Sequence, residues 1–103
     1  MKKVKLTRSS GNVFRDLGFS PDEAEYLKVR SELMLSLQKV IKARGLTQAE
    51  AAERLGVTQP RVSDLMRGQI TLFSIDTLID MLARLGIRAK VVLYPRRQRA
   101  GVA

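Results

Sequence analysis

The stretch from Thr47 to Gly68, TQAEAAERLGVTQPRVSDLMRG, limits what this chain can fold into more than any other part of it. Two short helical patterns flank Gly56, with the spacing of a helix-turn-helix. Thr47 is followed three residues on by Glu50, the pairing in which hydroxyl and carboxylate satisfy free amides at a helix start. Ala49, Ala51, Ala52 and Leu55 favour a short helix. Gly56 ends it, because glycine alone takes a left-handed backbone cheaply. Thr58 caps a second helix, with Pro60 near its start, where a missing N–H costs little. The small Ala52 lies one turn before Gly56, where the two helices must cross closely.

Placing residues of the second helix every 100° puts Val62 and Leu65 on one face, with Met66 beside them. Pro60, Asp64 and Arg67 fall on the opposite side, and Arg61 and Ser63 on the flanks. An inward apolar side and an outward polar one are what a helix needs if it is to be anchored and still be read against another molecule.

A chain of 103 residues makes one domain with a modest core. It has no cysteine and no histidine, which removes disulfides, thiolate zinc sites, histidine bases and catalytic triads. Its ten acids are scattered, without metal-ligand spacing or a glycine-rich phosphate loop, so no enzyme, metal or cofactor is expected. No apolar run approaches membrane-spanning length, and the opening MKKVKLTRSSG lacks a signal-peptide core, so a cytoplasmic protein is expected. The net charge of +9 and pI near 10.7 point to a polyanion.

That charge is unevenly spread. Residues 1–15 hold Lys2, Lys3, Lys5, Arg8 and Arg15 and no acid. Residues 16–40 lean acidic, and the chain turns basic again from Arg61 onward. One surface therefore suits phosphate and another suits something else.

In chain order, residues 1–11 form a basic arm, either flexible or a short strand at Val4 to Thr7. It fits tracking of a DNA backbone or ordering on a protein partner. Residues 12–86 form the helical domain, beginning with a short helix at Asn12 to Leu17, ended by Gly18. Ser20-Pro21-Asp22-Glu23 opens the longest helix, running to about Arg44, with Leu27, Leu33, Met34, Leu37, Val40 and Ile41 as its apolar face. Its acidic first half is longer than the domain needs and is expected to overhang. Gly68 to Phe73 reads as a connecting loop, and Ser74 caps a last helix with Ile75, Leu78, Ile79, Leu82 and Leu85, ended by Gly86. Residues 87–95 change to a strand pattern closed by Pro95. That strand has to pair with the N-terminal strand candidate or with its own copy in a second subunit. Pairing across a two-fold dimer suits recognition helices set one duplex turn apart on a palindromic operator. Residues 96–103 form a basic tail. The expectation is an all-α, five-helix helix-turn-helix domain with a C-terminal β-strand that pairs across a dimer.

Three segments carry a family resemblance: SSGNVFRDLGFSPDEAEYLKVRSEL at 9–33, RGLTQAEAAERLGVTQPRVSDLMRG at 44–68, and LIDMLARLGIRAKVVLYPR at 78–96. With these the whole chain resembles the XRE-type (Cro and phage-repressor-like) antitoxins of type II toxin–antitoxin systems, of the HigA-like kind. The resemblance implies a compact helical homodimer that binds its operator, represses its own operon and neutralises a ribonuclease-type toxin. By position it also implies that Gln48 contacts backbone phosphate. Thr58, Gln59, Arg61, Ser63 and Asp64 fall where such domains read bases or clamp phosphate. Pro60 and Asp64 depart from the pattern. Proline offers no donor to the groove, and Asp64 repels phosphate but accepts from cytosine N4 or steers a neighbouring arginine.

The expected interface places residues 59–67 in the major groove of double-stranded DNA, with Gln59, Arg61 and Asp64 at base edges and Pro60 and Ser63 beside them. Thr47, Gln48 and Thr58 grip phosphate near helix starts. Arg44 and Arg67 add phosphate charge. The competing function is a protein-interaction module that neutralises a partner through its acidic face, with the helix-turn-helix as scaffold.

Overall fold

The computed structural model describes residues 3–5 and 17–95. In chain order these form β1 (Lys3–Lys5), α1 (Pro21–Ala43), α2 (Gln48–Leu55), α3 (Gln59–Met66), a 3₁₀ turn (Ile70–Leu72), α4 (Ile75–Arg84) and β2 (Arg88–Lys90). Four α-helices lie among the described residues. The helix expected at 12–17 falls outside them except for Leu17, which with Gly18 makes a turn.

Each helix starts where a hydroxyl meets its third amide. Ser20 Oγ accepts from Glu23 N, Thr47 Oγ1 from Glu50 N, Thr58 Oγ1 from Arg61 N and Ser74 Oγ from Thr77 N, at 3.1–3.4 Å. Each such cap is worth about 1 kcal/mol to its helix. At Thr47 the box is closed both ways, since Glu50 Oε1 accepts the Thr47 amide at 2.9 Å.

The core gathers Leu33, Leu37 and Ile41 of α1, Ala51 and Leu55 of α2, Val62 and Leu65 of α3, and Leu78, Met81 and Leu82 of α4. Burying each large aliphatic side chain stabilises the fold by roughly 1.5–3 kcal/mol. Phe73, expected in a loop, is instead 1% exposed and belongs to this core. The 3₁₀ turn before it swings the ring inward, so the connection is a packed element rather than a free loop.

The acidic start of α1 is also more integrated than an overhang. Ala24 and Lys28 are buried, and Lys28 pairs with Glu32 at 3.8 Å. Arg30 Nη1 donates to the carbonyl of Ile70 at 3.3 Å, tying α1 to the 3₁₀ turn.

Within 87–95 only Arg88–Lys90 is strand, and it pairs in parallel with β1 of the same chain, with Lys3 opposite Arg88, Val4 opposite Ala89 and Lys5 opposite Lys90. The expected pairing across a dimer is thus met by an intrachain partner, the alternative open to the strand. The fold is mostly helical, with a two-stranded ribbon added. Ala89 packs against the core, and the exposed Arg88 and Lys90 flank it in the strand. Among the described residues no helix is long and apolar enough to cross a membrane.

Candidate nucleic-acid interface

The geometry of α2 and α3 follows from their junction. Gly56 sits at φ +69°, ψ +32°, and its amide donates to the Glu53 carbonyl at 3.3 Å while Val57 N donates to Ala52 O at 3.0 Å. These bonds end α2 and turn the chain so that Thr58 starts α3 almost at once. Val57 packs partly into the core, fixing the turn from below. Val62 and Leu65 are fully buried, which sets the rotation of α3 about its own axis. Its remaining residues therefore face outward or sideways.

Gln59 and Pro60 are exposed at the start of α3, and Ser63 and Asp64 are half-buried along its flank. Thr47 and Gln48 are exposed at the start of α2, as is Thr58 at the start of α3. The hydroxyls of Thr47 and Thr58 already cap their own helices.

The arginines are engaged within the chain. Arg67, the C-cap of α3, donates from Nη2 to Asp64 Oδ1. The carboxylate thus steers the guanidinium and offsets part of its charge. Arg61 Nη1 donates to the Leu72 carbonyl at 2.9 Å. Arg44 Nη1 donates to the Leu85 carbonyl at the end of α4 at 2.7 Å. Of the ten residues expected at the interface, the structure brings Asp64 into contact with Arg67 and Thr58 into contact with Arg61, and ties Arg44 to the end of α4.

Two supporting residues carry no signal in their local sequence. Gln38 Nε2 donates to the Leu65 carbonyl at 2.7 Å, so α1 caps the end of α3. Arg84 lays its guanidinium over the α2–α3 turn, where a β-carbon on Gly56 would stand 2.8 Å from its Nη1. Its partner Asp80, four residues earlier on α4, is visible as an i,i+4 pair; its reach to Gly56 is not.

A family model for helix-turn-helix domains matches residues 13–93. A solved chain assigned to the XRE family of transcriptional regulators superposes with a TM-score of 0.68 at 35% identity, over 75% of this chain and 88% of its own. This chain belongs to the XRE helix-turn-helix family. No curated protein matches it at a significant level. Membership places the XRE-family chain among non-enzymatic helix-turn-helix proteins. The matched span takes in all four helices and β2 but not β1, so the ribbon's first strand lies outside the shared domain.

Proposed function

We propose that this XRE-family protein is a sequence-specific DNA-binding transcriptional regulator, the antitoxin of a toxin–antitoxin pair that represses its own operon. The observation that carries the DNA reading is the orientation of α3. Val62 and Leu65 are buried on one side and Gln59 and Pro60 stand in solvent on the other, on a chain of net charge +9. In this reading α3 enters the major groove. Gln59, Pro60, Ser63 and Asp64 face base edges, while Thr47, Gln48, Thr58 and Arg67 meet phosphate.

Two subunits on a palindromic operator suit this mode of reading. The exposed apolar run after β2, with Leu93 at 86% and Val91 and Tyr94 above half, supports a homodimer built there. The helical unit 12–86 then reads DNA, the exposed Val91, Leu93 and Tyr94 join the subunits, and the basic segments 1–11 and 96–103 add charge toward phosphate.

The experiment is selection of duplexes from a random pool by the whole protein, followed by titration of Gln59→Ala and Arg67→Ala. Gln59→Ala should lose roughly 1–3 kcal/mol at one base pair, and Arg67→Ala should flatten the salt slope by about one unit. A protein that enriches no sequence would sink the regulator reading.

One observation favours a partner role beside it. Asp22, Glu23 and Glu25 stand exposed on the first turns of α1, an acidic face on a basic protein. It suits a basic toxin. Replacing all three with lysine should abolish capture of the co-expressed product of the adjoining reading frame; undiminished capture would remove that face from the argument.

A further inference from the structure

The outward helix carries an arginine whose side chain turns inward. Arg61 donates from Nη1 to the Leu72 carbonyl at 2.9 Å, and its guanidinium carbon stands 4.1 Å from the centre of the Phe73 ring. Since Phe73 is almost fully buried, the guanidinium acts as a cover over a core aromatic. The same turn is held by a second arginine. Arg30 on α1 holds the Ile70 carbonyl at 3.3 Å and stacks on Tyr26 at 4.6 Å. Together with the Gln38 bond to Leu65, these contacts join α1, α3 and the 70–72 turn into one block.

From this geometry we infer that Arg61 is a positioning residue. It sets α3 against the 70–72 turn and reads no base, leaving readout to Gln59, Pro60, Ser63 and Asp64. The inference rests on the DNA reading proposed above. A bidentate contact to guanine needs two N–H groups of the guanidinium aimed at the base edge. Taking Arg61 there exchanges its bond to the exposed Leu72 carbonyl for water and uncovers the buried Phe73 ring, and the loss of that stack opposes the move. Left in place, the stacked side chain holds the flank of α3 rigid and so fixes the angle at which its neighbours meet the groove.

The test compares wild type, Arg61→Ala and Arg61→Met on a duplex the wild type selects from a random pool, on every single base-pair change of it, and at several salt concentrations. Both variants should lose about tenfold in affinity on every duplex, a uniform loss rather than a positional one. The order of preference at each base pair and the salt slope should stay as in wild type. Collapse of preference at one base pair by about 5- to 150-fold would make Arg61 a base reader, and a slope lower by about one would make it a phosphate contact. Either result overturns the assignment. So does unchanged affinity in folded variants, which would leave Arg61 with a part in stability alone.

Should both variants fail to fold, the wild type decides by nuclear magnetic resonance. The Arg61 side-chain N–H signals should be shielded by the Phe73 ring, lose that shielding in Phe73→Leu, and keep it in the DNA complex. Shielding that vanishes when DNA binds overturns the assignment. A wild type that enriches no sequence removes the DNA reading and this assignment with it, whereas an enriched sequence with a positional defect in Arg61→Ala removes the assignment alone.

Discussion

Arg44, the residue that caps the end of α1, donates from Nη1 to the carbonyl oxygen of Leu85, the residue that caps the end of α4, at 2.7 Å. The last carbonyls of a helix have no partner within it, and a cation there also meets the negative end of the helix dipole. Arg44→Ala should therefore lower stability by about 1 kcal/mol, allowing for the exposure of the arginine. In a domain of this size that is a Tm drop of about 4–8 °C, read by thermal denaturation. The salt slope of DNA binding separates a second role. If it stays unchanged, Arg44 serves the helix joint; if it falls by about one, the guanidinium also reaches phosphate.

Gly56→Ala should destabilise the fold by about 1–2 kcal/mol, because its φ of +69° places a β-carbon against the carbonyl that follows. Arg84 stands where the new methyl group would go, but the end of a long side chain can move aside. Denaturant unfolding of Gly56→Ala and of Gly56→Ala with Arg84→Ala should give nearly equal losses relative to their parents. A loss that disappears in the double variant would show crowding, not backbone conformation, to be the cause.

Asp64→Asn removes a carboxylate that both offsets Arg67 and repels phosphate. Affinity for a non-specific duplex should rise about fivefold at low salt, and the gain should shrink as salt screens it. Anisotropy titrations across a salt series read this directly. Unchanged affinity at every salt concentration would mean that the 64–67 pair lies away from the duplex.

Glu50 supplies the pH dependence. Bonds from the Thr47 backbone and then its hydroxyl hold the carboxyl below its ordinary value of 4.5, with Arg54 adding a little and desolvation opposing. A carboxyl lowered on folding adds stability that is present above 4.5 and fades as pH falls through its folded value. Glu50→Ala should therefore lower Tm at pH 7, and the gap from wild type should narrow below pH 4.5. A gap constant from pH 7 to pH 3 would assign the effect to helix propensity instead of charge.

The helix starts, the Gly56 turn and the inward face of α3 were legible because each depends on a few neighbouring residues: a hydroxyl three positions from an amide, a glycine, a period of 3.6. Phe73 was not, because a ring next to a loop gives no periodicity, and its burial is decided by the 3₁₀ turn before it. Nor was the inward path of Arg61, since helical spacing places it on a flank but cannot show that the Leu72 carbonyl lies within reach. That Asp64 steers a neighbouring arginine was one of two options the sequence left open, and the structure makes that arginine Arg67. The parallel partner of β2 was one of two options that pattern alone could not separate, because strand pairing depends on residues far apart in sequence.

The ribbon has a consequence for how the molecule comes together. Lys3 and Lys5 line up with Arg88 and Lys90, running in the same direction, and the four described helices lie between them. During synthesis the earlier strand leaves the ribosome first and must wait for almost all the rest before its mate exists. Closing so long a span of unfolded chain is costly, so pairing of the two strands is favoured once the helices between them have formed.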